Sequence, residues 1–221
     1  MNLEICVKLG GSLFNTPDKV NSIVEILVHH AGKVILVNGS GSLGDICGEF
    51  WRSNHLRLNP VQKRLLLARV RATISVLLEA FHPSLTLVDT VIQARESARA
   101  GKIPIADPLT LLYTLIDTEP FIGSDVFAAE LCRMMNLKLL LIITNVDGVK
   151  SSLDSNEIFN EISTLELQNI GKSCLDSGIE KSLESGHIEC VVLNGLYPER
   201  IQHFLQTGSV TVGTRIMSNI E

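Results

Sequence analysis

Four short apolar runs, "ICVKL", "KVILVN", "KLLLIIT" and "IECVVLN", constrain this chain more than any other feature. The first alternates only weakly and all are apolar enough to read as strands buried on both faces. Helical periodicity separates them. In "PDKVNSIVEILVHHA", Val20, Ile23, Val24, Leu27 and Val28 share one face, and Gly32 stops the helix. Pro60 starts a long helix, "PVQKRLLLARVRATISVLLEAFHP", that ends before Pro83. "LTLVDT", "IPIADP" and "VTVGTRIM" add further strands, "SLGDICGEFWRSN", "VIQARESARAGK", "SDVFAAELCRMMN" and "YPERIQHFLQTG" further helices, and "TLLYTLID" is apolar without a clear period. Strands alternating with helices predict a parallel sheet covered on both faces. Right-handed crossovers then gather Gly10, Gly39, Thr144 and Gly195 along the carboxyl edge of that sheet. From Lys150 to Lys172 the polar "KSSLDSNEI" predicts a loop region. No linker or repeat divides residues 1–221, which points to one domain.

The balance of charge narrows the partners. A net charge of −5 leaves no basic footprint for nucleic acid or an anionic membrane. Any anionic ligand must therefore be met by local lysines and backbone N–H groups. Cys6, Cys47, Cys132, Cys174 and Cys190 are scattered and odd in number, without metal-ligand spacing. They read as free thiols of a cytoplasmic protein, with no metal site of their own. The chain opens on a strand pattern rather than a leader, and "LKLLLIITNV" is too short to span a bilayer.

Where chemistry is concerned, the strand ends speak. In "VKLGGS" a lysine lies two residues before paired glycines. Glycine turns let backbone amides approach phosphate, a helix start adds positive potential, and a lysine can offset charge developing on a transferred phosphoryl group. "NGSGSLGD" repeats the grammar, so two glycine turns suggest two anion sites. A dinucleotide turn is disfavoured there, because "NPVQKRLL" stands where its acidic ribose partner belongs. "TNVDGV" offers hydroxyl, amide and carboxylate groups to a base or ribose, or forms a simple Asp-Gly turn. In "GSDVFAAEL", Ser124 or Asp125 suits a helix N-cap.

Taken in order, Lys-x-Gly-Gly-Ser, Gly-x-Gly, Ser-Asp-x-x-Ala-Ala, Thr-Asn-Val-Asp-Gly-Val and a terminal Gly-Thr-Arg-Ile resemble the amino acid kinase family over nearly the whole chain. "NGLYPERIQHFL" and "GTRI" are similar to its small-phosphate branch, which includes isopentenyl phosphate, fosfomycin and methanofuran-pathway furan phosphate kinases; the short chain favours the last. The resemblance implies a three-layer α/β/α sandwich with a mostly parallel sheet of about eight strands. It implies an ATP-dependent kinase with Mg²⁺ carried by the nucleotide, acting on a small phosphate or carboxylate acceptor such as an aminomethylfuran phosphate. Lys8 would touch the transferring group and Asp125 would orient the catalytic lysines. Of the late lysines, Lys181 is preferred to Lys172 as the second. Gly10, Gly11 and Ser12 would bind ATP phosphates, and Thr144, Asn145, Asp147 and Gly148 would line the nucleotide. Gly39, Ser40 and Gly41 would hold the acceptor.

Three departures from the pattern, Ser40 inside the acceptor turn, Phe121 four residues before Asp125 and the lack of a clean motif around Lys172 or Lys181, keep open an altered substrate or a non-catalytic nucleotide or oxyanion binder, with a uridylate-type kinase as a further alternative. Lys63, Arg64 and Arg69 are further candidates for an acceptor phosphate, while His29, His30 and Trp51 read as ordinary helix-end and packing residues. The leucine- and valine-rich helix from Pro60 predicts packing against a second copy, hence a homo-oligomer. Lys8, at a solvated strand end, is expected to serve catalysis and not stability.

Overall fold

The computed structural model describes residues 3–111, 123–151 and 157–218. Phe121 and most of "TLLYTLID" lie outside them. The strands are β1 (Ile5–Leu9), β2 (Val34–Asn38), β3 (Leu85–Val88), β4 (Ile103–Ala106), β5 (Leu139–Thr144), β6 (Glu161–Ser163), β7 (Glu189–Asn194) and β8 (Thr214–Met217). They form one sheet in the order β3-β4-β2-β1-β5-β7-β8-β6. Every pairing is parallel except β7 with β8. β1 lies at the centre, Lys8 level with Val37 of β2 and Ile142 of β5.

The helices are α1 (Pro17–Val28), α2 (Gly41–Ser53), α3 (Pro60–Glu79), α4 (Val91–Arg99), α5 (Pro108–Leu111), α6 (Ser124–Met135), α7 (Thr164–Ile170), α8 (Ile179–Gly186) and α9 (Pro198–Thr207). They cover both faces, as central strands buried over most of their length require. Strand alternation sorts β1 between two cores. Val7 and Leu9 pack with Val20, Ile23, Val24 and Leu27 of α1 and with Ile201 and Phe204 of α9. Cys6 packs with Ala128, Leu131 and Cys132 of α6. Lys8 stands two residues beyond Cys6 and so shares its face. The strand's own period therefore aims the lysine at α6.

The segment from Lys150 to Lys172 departs from the loop expectation. It holds β6, an edge strand, and α7, opened by a capping box in which Ser163 and Glu166 exchange side-chain and backbone hydrogen bonds. Elements this short carry too few residues for a period to show. The long helix α3 begins at Pro60 as expected, with a second capping box between Asn59 and Gln62. Its buried line of Ala68, Arg71, Ile74, Ser75 and Leu78 packs inward, while Val61, Val76 and Leu77 stay exposed. A more continuous exposed apolar stripe runs along α2: Leu43, Ile46 and Phe50 are 40, 60 and 64% exposed.

Candidate active site

Lys8 and Asp125 meet as the motif order implies. Lys8 Nζ lies 2.5 Å from Asp125 Oδ1, with the side chains only 9 and 5% exposed. This corrects one expectation. Lys8 is a buried cation and not a solvated one, because the strand period turns it under α6. Ser124 and Asp125 lie near the N-cap as expected, in the first turn of α6, while the cap position itself is Gly123, without a side-chain bond. The cap comes from elsewhere in the chain. The Asp125 N–H donates to Asp176 Oδ2 at 2.8 Å, and the Asp176 N–H donates to Asp125 Oδ2 at 3.0 Å. A reciprocal bond of this kind satisfies an orphan amide of the first helical turn and locks Asp125 in place. Sequence reading missed Asp176. A Cβ on Gly123 would lie 2.1 Å from the Asp176 carboxylate carbon, so the glycine before the helix is the trace of that contact.

Arg71 also escaped notice. It is 3% exposed, on the inner face of α3. Burial pulls its guanidinium below the ordinary value, against the attraction of Asp176 and then of Asp125. An arginine with these two neighbours remains a cation. Burial, followed by the nearby Asp125 carboxylate, pushes Asp176 above the usual aspartate range, opposed by its bond from the Asp125 N–H and by Lys8 and Arg71.

Above this charge cluster the two glycine turns touch. A Cβ on Gly11 would fall 2.1 Å from the Gly41 nitrogen, and one on Gly39 2.6 Å from the Gly11 nitrogen. Gly41 itself has φ +52 and could not carry a side chain without strain. The glycines thus make room for one another, and the two turns expected to bind two anions form one lip. Ser40 folds its side chain down onto Gly44, where a Cβ would be 2.4 Å from the Ser40 Oγ. Asn38 fixes the turn from below: its Nδ2 donates to Gly39 O (3.3 Å) and Arg71 O (2.9 Å), and its Oδ1 accepts from Ser75 Oγ (2.7 Å).

The lip continues across the sheet edge. The Gly10 N–H donates to Ile143 O and the Gly195 N–H to Thr144 O, each at 2.7 Å. Thr144 is partly exposed and Asn145 exposed beside the Gly10 turn. Asp147 accepts from Asn194 Nδ2 (3.0 Å) and from Arg200 Nη1 (2.6 Å), while the Arg200 guanidinium sits 4.0 Å from the Tyr197 ring centre. The Asn194 amide and then Arg200 hold the Asp147 carboxyl below the usual range. Gly148 is buried against Thr214, which bonds the Val149 N–H and Phe159 O. Asp147 and Gly148 are therefore engaged in tying β5 to β7 and β8. Lys172 and Lys181 are both exposed, Lys181 on the outer side of α8. Lys63 and Arg64 are half-buried and Arg69 exposed. The Arg64 Nε is buried without a hydrogen-bond partner among the described residues.

Comparison with known proteins identifies the fold and the family. The model of the amino acid kinase family matches residues 4–194. The chain is 20% identical to the [5-(aminomethyl)furan-3-yl]methyl phosphate kinase of Methanocaldococcus jannaschii, covering 96% of each protein. It is 27% identical to the acetylglutamate kinase of Oceanobacillus iheyensis over 90% of this chain and 72% of that one. The crystal structure of uridylate kinase from Archaeoglobus fulgidus superposes with a TM-score of 0.76 at 22% identity, covering 97% of this chain and all of the other.

Proposed function

The chain belongs to the amino acid kinase family, and from that premise we propose that it transfers the γ-phosphoryl group of ATP to a small phosphate monoester, with an aminomethylfuran phosphate the favoured acceptor. The observation that carries this reading is the buried Lys8–Asp125 pair beneath two glycine turns in mutual contact. Two anion sites that touch set donor and acceptor side by side, as an in-line displacement requires. The acceptor choice draws on the furan phosphate kinase match along almost the full length of both proteins.

In this reading the turn at Gly10, Gly11 and Ser12 receives the ATP phosphates, with Thr144 and Asn145 alongside the nucleotide. The turn at Gly39, Ser40 and Gly41 receives the acceptor, and Arg64, one helical face with Arg71, offers its guanidinium to the acceptor phosphate. An acceptor phosphate oxygen bonds to the γ-phosphorus as the bond to the β-phosphate oxygen breaks, leaving a diphosphate ester and ADP. An ionised phosphate oxygen is already a nucleophile, so the step asks for cations more than for a base. Lys8 stays ion-paired with Asp125 and turns N–H groups to the equatorial oxygens of the transferring group. Mg²⁺ would come with ATP, held by phosphates and water, and would supply charge neutralisation for the transferring group. Asp147 helps shape the nucleotide side through its bonds to Asn194 and Arg200.

ADP release from Mg-ATP tests the proposal, with [5-(aminomethyl)furan-3-yl]methyl phosphate, UMP and N-acetylglutamate as acceptors. The furan phosphate should give the highest kcat/KM. Preference for N-acetylglutamate would overturn the acceptor class, and preference for UMP would support the uridylate-type reading. No ADP release with any of them, alongside measurable ATP binding, would favour a non-catalytic nucleotide binder.

A further inference from the structure

At the far end of the lip the chain holds an exposed aromatic ring in a fixed place. Asn194, the last residue of β7, lies level with Thr144 of β5. The turn after it closes on itself. The Asn194 side chain accepts from the Leu196 N–H at 3.0 Å, and the Asn194 carbonyl accepts from the Tyr197 N–H at 3.2 Å. Tyr197 then stands immediately before Pro198 opens α9. Its ring carries the Arg200 guanidinium, 4.0 Å from the ring centre. Arg200 is held in turn by Asp147, 2.6 Å away in the turn that follows β5. A lone exposed tyrosine needs no explanation. This one is braced by a closed backbone turn and by a paired arginine, and it still leaves 44% of its surface open. We propose that Tyr197 is the platform on which the base of the nucleotide stacks, a binding residue for the phosphoryl donor. The inference deepens the kinase reading and rests on its placing of the nucleotide along Thr144 and Asn145.

The placement fits a nucleotide. The Gly10 turn bonds Ile143 O and the Gly195 turn bonds Thr144 O, so the two turns flank the same end of β5. Two strand spacings, roughly 10 Å, separate them. A nucleotide with its phosphates at Gly10 and Gly11 would lie across that strand end and bring its base toward Tyr197. The surroundings suit a base better than another anion. Pro198 removes an N–H from the first turn of α9, and Glu199 adds a negative charge there. Val212, 37% exposed, adds apolar surface two residues before Thr214, which packs on Gly148. Arg200 covers one face of the ring, which leaves the other for the base. A cation on the covered face draws on the ring's electrons and favours stacking of an electron-rich heterocycle on the open one. The bracing contributes as well, because a side chain already ordered gives up little rotamer freedom when a ligand settles on it.

Titration calorimetry of the full chain with Mg-ATP and with Mg-tripolyphosphate, which has the phosphates but no base, tests the role. The wild type should bind Mg-ATP more tightly than Mg-tripolyphosphate. Tyr197→Ala should weaken Mg-ATP about 5- to 150-fold, the range for losing a base stacked on an aromatic side chain, and should leave tripolyphosphate within about twofold. Tyr197→Phe, which keeps the ring, should hold Mg-ATP affinity near the wild type. A second readout needs no loss of the side chain. The chain has two tyrosines, so ¹³C labelling of tyrosine gives two sets of ring signals, assigned with Tyr197→Phe. The Tyr197 set should move upfield with Mg-ATP and stay in place with tripolyphosphate. If Tyr197→Ala fails to fold, these wild-type signals decide. Equal weakening of both ligands in Tyr197→Ala, or unchanged Mg-ATP affinity, overturns the platform. So does a wild type that binds Mg-ATP no more tightly than tripolyphosphate, or that binds Mg-ATP without a shift at Tyr197. A wild type that binds neither ligand sinks the kinase reading and the platform with it, whereas binding of both with no effect of residue 197 sinks the platform alone.

Discussion

Replacing Lys8 by methionine should damage stability and catalysis together. The pair it breaks is 2.5 Å long, with side chains 9 and 5% exposed. Removing one partner of a buried ion pair costs about 3–5 kcal/mol, because the other charge stays buried without it. Asp125 would keep the Asp176 N–H and the field of Arg71, which argues for the lower end, about 3 kcal/mol. For a chain of this size a loss of 1 kcal/mol lowers Tm by about 2–4 °C. Lys8→Met should therefore melt about 6–12 °C below the wild type in thermal denaturation followed by circular dichroism. The double variant Lys8→Met/Asp125→Asn should regain part of that loss, since the abandoned charge is gone. Its kcat should stay at least about 100-fold down, as for a missing electrostatic contact in the transition state. A Lys8→Met protein melting within a degree of the wild type would refute the buried pair, and with it the reason Lys8 is held where it is.

Other consequences follow from single contacts. Gly11→Ala places a Cβ 2.1 Å from the Gly41 backbone nitrogen. Backbone cannot yield as a flexible side chain does, so the variant should lose at least about 1–3 kcal/mol in urea denaturation, together with most of its turnover. Asp147 has its folded carboxyl held below the ordinary range by Asn194 and Arg200. It therefore adds stability that is present above the unfolded aspartate value and disappears as pH falls through the lowered folded one. Stability of Asp147→Asn across acidic pH should lack that component, and added salt should shrink the wild-type effect, because the site is half-exposed. The stripe of Leu43, Ile46 and Phe50 on α2, with Val61, Val76 and Leu77 on α3, should be covered by a second copy. Light scattering at micromolar concentration should show an oligomer that Ile46→Asp/Phe50→Asp converts to a monomer, and a strictly monomeric wild type would contradict this.

The parts of the site that could be read from sequence were those signalled within a few residues. Lys8 beside Gly10 and Gly11, and Gly39 beside Gly41, announce themselves as strand ends with turns, and the apolar runs of β1, β2, β5 and β7 need no partner to be recognised. Contacts between distant segments left fainter traces. Asp125 and Asp176 are 51 residues apart and show that they meet only through a glycine at 123. Arg71 interrupts an apolar helix, where a solvated face is the commoner explanation; its burial shows only in the folded chain. The depth of Lys8 was misjudged for the same reason. A strand's period says which face a lysine takes, but not that a helix roofs it. β6 and α7 were missed because they are short, although Ser163 and Glu166 spell a capping box in plain sequence.

Phosphorus NMR of Mg-ATP mixed with [5-(aminomethyl)furan-3-yl]methyl phosphate, run in parallel on wild type and Lys8→Met, tests the central claim most directly. The wild type should convert the phosphomonoester signal into the coupled pair of a diphosphate ester while ADP accumulates. Lys8→Met, verified as folded by circular dichroism, should convert it at least about 100-fold more slowly. Equal rates of diphosphate formation in the two proteins would contradict the assignment of phosphoryl transfer to Lys8 and its buried partner Asp125.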